Sequence, residues 1–320
     1  MSSDIVTAID AAVRNDHQEK RRGHIGASAL GNPCPRQVWY GFRWAYQEKH
    51  LGRMLRLFDR GHKEEDRFNR WLRMAGVEVR DYAQRLLYSP SQADAGQMYL
   101  CVEWEAEAPA WYEDVSGSSY HIAIALEEGA PLKQWGFTDH DGHFSGSCDG
   151  KIRDAAGTLG LPEGWGLQEH KTHNEKSFNL LTKKGLLSSK PTHYVQMQLY
   201  MHYLGLKWGL YLAVNKNDDC MYAEVIYYRE EIALPYVATA WKLIEAKQPP
   251  KRMTEDPSWF ECKFCAFREI CHYGEAPQKN CRSCVFSSPA ADGEWHCGKF
   301  DAILPKDFMP KGCDAWEAIG

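Results

Sequence analysis

Apolar residues recur at helical spacing near the start of the chain, where Ile5, Ala8, Ile9, Ala12 and Val13 predict a short helix over 4–21. A Gly-rich loop, GHIGASALGNPCPR, follows and ends in Cys34-Pro35-Arg36. Residues 37–75, rich in Trp, Leu, Arg and Phe, predict mostly helix, with Gly76 as the stop. Strand-like alternation begins in VEVRDYAQRLLY, and from 98 to 153 the runs MYLCVEWEAEA, SYHIAIALEEG and HFSGSCDGKIRD predict strands and turns. GWGLQEHK, residues 164–171, reads as a further strand leaving into a turn. PTHYVQMQLYMHYLGL, residues 191–206, opens on Pro and continues with helical periodicity. LYLAVNKND and CMYAEVIYY predict a hairpin turning at Asn-Lys-Asn-Asp. Residues 230–247 predict a last long helix, and neither internal repeats nor low-complexity segments occur. This order predicts a mixed α/β domain over 1–275, followed by a Cys-rich module over 276–320.

The chain has 320 residues, 44% hydrophobic and 25% charged, enough for one large core and a small appended module. No stretch approaches the roughly 18 to 20 apolar residues of a membrane helix. The first residues, MSSDIVTAIDAAVRNDHQEKRR, lack the apolar core of a signal peptide. A soluble, cytoplasmic protein with no membrane partner is expected, in the host cytoplasm if phage-encoded. A net charge of −5 argues weakly against a nucleic-acid partner, but the charge is polarised. Residues 1–60 hold ten Lys/Arg against six Asp/Glu, whereas residues 88–150 hold one against eleven. Arg14, Lys20, Arg21, Arg22, Arg36, Arg43, Arg53, Arg56 and Arg60 supply the basic end, interleaved with Trp39, Tyr40, Phe42, Trp44 and Tyr46. Stacking plus phosphate contacts is one way to hold single strands; helix core is the other use for such aromatics, and more than half are assigned to it.

Four features fall in chain order: Gly61-His62 with Glu64-Glu65, Asp149, Glu169-x-Lys171, and Gln196-x-x-x-Tyr200. Asp149 and Glu169 lie at or near the ends of predicted strands, and two carboxylates on adjacent strands can share a hard cation such as Mg²⁺ or Mn²⁺. Lys171 lies two residues after Glu169, so strand alternation puts both on one face. There it can orient or help deprotonate a metal-bound water. His62 can add a nitrogen ligand, favouring Mn²⁺ somewhat. Gln196 and Tyr200 share a helix face. Taken singly, each feature has a plainer reading: Asp-Gly as a turn, E-x-K as a solvated strand edge, His62 as a helix-surface residue, Glu64 and Glu65 as solvated, with one of the two as a candidate to assist the site. Joint order and spacing favour the chemical reading.

In these residues the chain resembles the PD-(D/E)XK nucleases in their RecB-like form, with GHKEEDRFNRWLRMAG similar to that family's first conserved helix. The resemblance covers roughly 20–275 in outline and implies a restriction-endonuclease-like α/β core, a mixed sheet flanked by helices. It implies that His62, Asp149, Glu169 and the His170 carbonyl bind metal, that Lys171 is catalytic, and that Gln196 and Tyr200 belong to the active site.

Seven of the eleven cysteines lie after residue 261. Without a secretory signal, clustering favours metal or cluster ligation over disulfides. Cys262, Cys265 and Cys271 give three thiolates, with Cys34 as the distant fourth candidate. This arrangement resembles the iron–sulfur subset of RecB-like nucleases, which includes the CRISPR-associated adaptation nucleases. It implies a structural 4Fe–4S cluster stapling the N- and C-terminal parts; zinc is the alternative by spacing. Cys281, Cys284, Cys297 and Cys313 follow with the CxxC…C…C form of a zinc site, in which His296 can replace one thiolate. Cys101, Cys148 and Cys220 read as plain buried or strand cysteines.

No G-x-x-x-x-G-K-[ST] phosphate loop occurs, which excludes a fused helicase motor. The expected function is a metal-dependent DNA exonuclease, exo rather than endo by resemblance alone, of phage or mobile-element recombination and repair. Its partners would be linear or single-stranded DNA ends, with a single-strand annealing or binding protein as a further candidate. The alternatives are a CRISPR adaptation nuclease, or a non-catalytic DNA-binding adaptor carrying the iron–sulfur and zinc centres. A redox protein ranks last, because no flavin or nicotinamide motif accompanies the cysteines.

Overall fold

A computed structural model describes residues 2–17, 21–81, 112–113, 119–120 and 134–320. The predicted strands MYLCVEWEAEA and most of SYHIAIALEEG, with Lys20 and Cys101, lie outside the described residues. The chain opens with α1 (Ser2–Asp16), β1 (Ile25–Gly26), α2 (Ala27–Leu30), α3 (Pro35–Phe42), α4 (Gly52–Met74) and β2 (Glu78–Arg80). The short strands β3 (Tyr112–Glu113) and β4 (Ser119–Tyr120) pair with each other. Next come β5 (Gly136–Asp139), β6 (Phe144–Ser147), β7 (Gly150–Arg153), β8 (Gly166–His173), α5 (Glu175–Ser189) and α6 (Pro191–Leu204). Strands β9 (Trp208–Asn215) and β10 (Met221–Tyr227) precede α7 (Glu230–Glu245), α8 (Phe260–Lys263) and α9 (Arg268–Tyr273). The tail carries β11 (Ser287–Pro289), β12 (Trp295–Cys297) and β13 (Ala302–Ile303).

The central sheet runs β10-β9-β8-β7-β2. Its β8–β9 pair is parallel and its other pairs are antiparallel. That parallel step requires a crossover, which α5 and α6 supply. Strand β9 is buried along its whole length, which explains its nearly unbroken apolar run. On one face Phe68 and Leu72 of α4 pack against Ile152, Trp208, Leu210, Leu212 and Val214. On the other, Met197 and Tyr200 of α6 join Leu167, Tyr211 and Ala213. A smaller sheet, β1-β6-β5, lies under α2 and α6. The fold is therefore a mixed α/β architecture with helices on both faces of a mixed sheet.

The predicted hairpin forms, with Trp208 opposite Tyr227 and Val214 opposite Met221. The first helix ends at Asp16, earlier than predicted. The mostly helical stretch predicted over 37–75 is broken between Phe42 and Gly52. Trp44 adopts φ 52°, and the chain then runs against the tail, where Ala45 O accepts the Gln278 N–H at 2.8 Å. Tertiary contact overrides local propensity there. Helix α5 has no counterpart in the sequence expectation; Asn174 caps it by accepting the Ser177 N–H at 2.9 Å. Trp39, Tyr40, Phe42 and Trp44 are all buried and only Tyr46 of the five is exposed, so the interleaved aromatics are core. Trp295, Met309 and Ile319 of the tail belong to the same buried cluster as Trp39. Among the described residues no helix is long and apolar enough to cross a membrane.

Candidate active site

Strands β7 and β8 pair antiparallel with Gly150 opposite Gln168, so one more step of register sets Asp149 across from Glu169. The His170 N–H closes this junction by donating to Asp149 Oδ2 at 2.7 Å. Gly150 is required there, because a Cβ would stand 2.9 Å from the Arg80 carbonyl oxygen of the neighbouring strand. Alternation along β8 sends Gln168 and His170 toward α4, where Gln168 bonds Asn69 and the His170 ring stacks on Phe68 at 4.5 Å. Glu169 and Lys171 share the opposite side of the strand. The Lys171 ammonium contacts Glu169 Oε1 and donates to the His170 carbonyl at 2.9 Å.

Glu169 is buried, and burial pushes its carboxyl up to about 7; Asp149 and Glu65 push the same way while Lys171 pulls it back. For Lys171 burial alone would favour the neutral amine. Glu169, Asp149 and Glu65 outweigh it and raise the ammonium above its ordinary value. The lysine stays cationic among three carboxylates.

Glu65 is the residue that sequence reasoning underrated. Burial first, then Asp149, raises its carboxyl, and His62 and Lys171 oppose the rise, so it faces the same centre. The signal was its i,i+3 spacing from His62, whose Nδ1 lies 3.4 Å from Glu65 Oε1. Glu64 is not solvated either: it is buried and takes both carboxylate oxygens to Arg67 at 2.8 Å. His62 itself is 79% exposed at the mouth of a cavity of about 440 Å³ lined by His62, Glu65, Phe68, His170, Lys171 and Lys216.

Gln196 and Tyr200 are buried on α6, with the Gln196 amide donating to the Tyr200 hydroxyl at 3.3 Å. Burial, and then the nearby Glu169 charge, raise the Tyr200 phenol. Tyr200 also lines a second cavity of about 660 Å³ with Arg22, His24, Ser145 and Ser147. Asp149, Glu169, Lys171, Glu65, Gln196 and Tyr200 thus cluster, with His62 at the rim. As arranged, no three His, Cys, Asp or Glu side chains among the described residues stand close enough to hold a metal ion. In the carboxylate centre the Lys171 ammonium occupies the Glu169 oxygen instead.

The ten described cysteines form no disulfide. Cys34, at the N-cap of α3, lines a small cavity together with Cys262 of α8, Cys265 of the loop that follows and Cys271 of α9. Burial and the neighbouring thiols raise the Cys262 and Cys265 thiols. Cys281, Cys284, Cys297 and Cys313 come together in the tail, where burial and the other three push the Cys281 thiol up to about 11. His296 is turned to Asp301 Oδ1 at 3.1 Å. Cys148 is buried as expected, but Cys220 is exposed beside the β9–β10 turn, because the chain loops out after Asn215 before β10 begins.

No known protein family matches the chain, and no curated protein matches it. Among solved structures it is similar to the crystal structure of SSO0001, at 16% identity and a TM-score of 0.40 over 85% of this chain and 96% of that one. It is also similar to an alkaline exonuclease, LHK-Exo, from Laribacter hongkongensis, at 16% identity and a TM-score of 0.39 over 70% of this chain and 87% of that one. LHK-Exo in complex with dAMP gives 16% identity and a TM-score of 0.38 over 74% of this chain and 89% of that one.

Proposed function

We propose that this chain is a divalent-metal-dependent deoxyribonuclease of the PD-(D/E)XK type that degrades DNA from its ends. The observation that carries the reading is the meeting of Asp149, Glu169 and Lys171 at the β7–β8 junction, with Glu65 facing it from α4 and His62 at the rim. The donor set fits the ion: carboxylate oxygens and one imidazole suit Mg²⁺ or Mn²⁺. Asp149, Glu169 and Glu65 would hold it, with His62 and the His170 carbonyl as further ligands. Such an ion, when bound, supplies an acidified water and stabilises the charge that builds on the phosphoryl oxygens.

The chain's own groups do the rest. Lys171, kept cationic by three carboxylates, is fixed at its tip by Glu169 and the His170 carbonyl. From there it donates hydrogen bonds to the attacking water or to a non-bridging phosphate oxygen. Tyr200, braced by Gln196, closes the α6 side of Glu169 and limits water there. Cys34, Cys262, Cys265 and Cys271 would hold a structural 4Fe–4S cluster. Four free thiols lining one cavity fit that group, and closing a loop of more than two hundred residues removes entropy from the unfolded chain.

The test is cleavage of end-labelled linear duplex beside a covalently closed circle, each with Mg²⁺ or Mn²⁺ and with chelator. The reading expects metal-dependent loss of the linear DNA and an intact circle. Nicking of the circle overturns the exonuclease reading, and binding without cleavage of either overturns the enzyme reading in favour of a DNA-binding adaptor.

A further inference from the structure

Two arginines are buried where the tail meets α3. Arg43 and Arg282 are 3% and 1% exposed, and among the described residues neither pairs with a carboxylate. Their acceptors are almost all backbone carbonyls. Arg43 donates from Nε to Arg282 O at 2.6 Å and from Nη2 to Cys284 O at 2.7 Å, with Ser287 Oγ at 3.3 Å. Arg282 donates to Gly23 O at 2.9 Å and to Phe42 O, and its buried Nε has no hydrogen-bond partner. The aromatic faces of Trp39, Phe42, Trp44 and Trp295 cover both guanidiniums, with ring centroids 4.3–5.6 Å away. Two buried like charges near each other are costly without an anion.

Nearby thiols can become that anion. The Cys284 N–H bonds Cys281 O at 3.2 Å and the Ser287 N–H bonds Cys284 O at 3.2 Å, giving tight turns through the CxxC segment that contains Arg282 itself. Strand pairing sets Cys297 opposite Ser287. The Cys281 N–H donates to Met309 O at 2.8 Å, and a Cβ added at Gly312 would stand 3.3 Å from Asn280 Cα, so the segment leading to Cys313 runs close beside the one carrying Cys281. The four cysteines thus sit on three neighbouring stretches of the tail.

We propose that Cys281, Cys284, Cys297 and Cys313 bind one Zn²⁺ as a tetrathiolate, and that Arg43 and Arg282 are its buried counter-charges. The four thiols release their protons to solvent on binding. Zinc with four thiolates carries two net negative charges, which the two guanidiniums match. The Arg43 bonds to the Arg282 and Cys284 carbonyls join metal site and α3 into one unit, so the ion fastens the tail onto the core. This inference is independent of the nuclease reading.

The test uses the full-length chain, reduced and metal-stripped, titrated with Co²⁺ as a spectroscopic stand-in and then with Zn²⁺. The proposal expects the visible bands of a tetrahedral cobalt tetrathiolate, bleached by Zn²⁺, that persist in Cys34→Ser and are lost in Cys313→Ser. Arg43→Met should hold Zn²⁺ about 10–100-fold more weakly in chelator competition, the usual cost of removing a group that supports a metal ligand. No tetrathiolate spectrum from the wild-type chain, or bands lost in Cys34→Ser and kept in Cys313→Ser, overturns the site. Unchanged zinc affinity in a folded Arg43→Met overturns the counter-charge role.

Discussion

Lys171→Met is expected to lower DNA cleavage by about 10²–10⁴-fold while the chain still folds. Methionine keeps much of the aliphatic stem, so the loss falls on the ammonium, which contacts Glu169 and donates to the His170 carbonyl. A bare buried carboxylate would normally make such a change severely destabilising. Here burial already pushes the Glu169 carboxyl up to about 7, and without the lysine it rises further and takes a proton. The fold then loses about 1–3 kcal/mol, the scale of one broken charged hydrogen bond, rather than housing an unpaired anion. Single-turnover cleavage at saturating metal, beside urea unfolding of both chains, separates the two effects. Activity within tenfold of wild type would remove Lys171 from the chemistry.

The largest stability effect is expected at Trp39. Trp39→Ala should cost about 3–5 kcal/mol, as for other buried aromatic truncations, a large part of the roughly 5–15 kcal/mol that holds a typical domain. The indole is fully buried, and its Nε1–H donates to Ala246 O at 2.9 Å, tying α3 to the end of α7 across 207 residues. It also forms part of the face against which Arg43 rests, 5.6 Å from the ring centroid. Tyr46, exposed on the same stretch of sequence, provides the contrast: Tyr46→Ala should shift stability by no more than about 0.5 kcal/mol. Urea midpoints check both. A mild Trp39→Ala with sharply reduced DNA affinity would instead favour a stacking role for that residue.

Trp39 and Tyr46 also mark how far the sequence could be read. Helix α6, the β9–β10 hairpin and the strand bearing Glu169-x-Lys171 were legible from local signals: Pro191 at the first turn of α6, the Asn-Lys-Asn-Asp turn between two apolar runs, and the apolar-to-polar run that ends β8. The break after Phe42 was not, since it depends on Gln278 in the tail bonding Ala45, a contact 233 positions away. Asp149, Glu169 and Lys171 were found because strand ends and alternation bring them together. Glu65 was not told apart from Glu64 because charged residues flank both on an amphipathic helix, and which of them faces the site is decided by the packing of α4 on the sheet. Arg43 gave the most misleading signal: an arginine among aromatics reads equally as a nucleic-acid surface or as buried cation–π packing. Only burial separates the two readings.

The central claim is that Asp149 and Glu169 hold a divalent cation. The most direct measurement is Mn²⁺ binding to the zinc-saturated, full-length chain by electron paramagnetic resonance, with Asp149→Asn and Glu169→Gln alongside. The account predicts that the wild-type chain binds Mn²⁺ at a site lost from both variants, while Cys34→Ser, wherever it folds, retains it. Equal Mn²⁺ binding by wild type, Asp149→Asn and Glu169→Gln would contradict it.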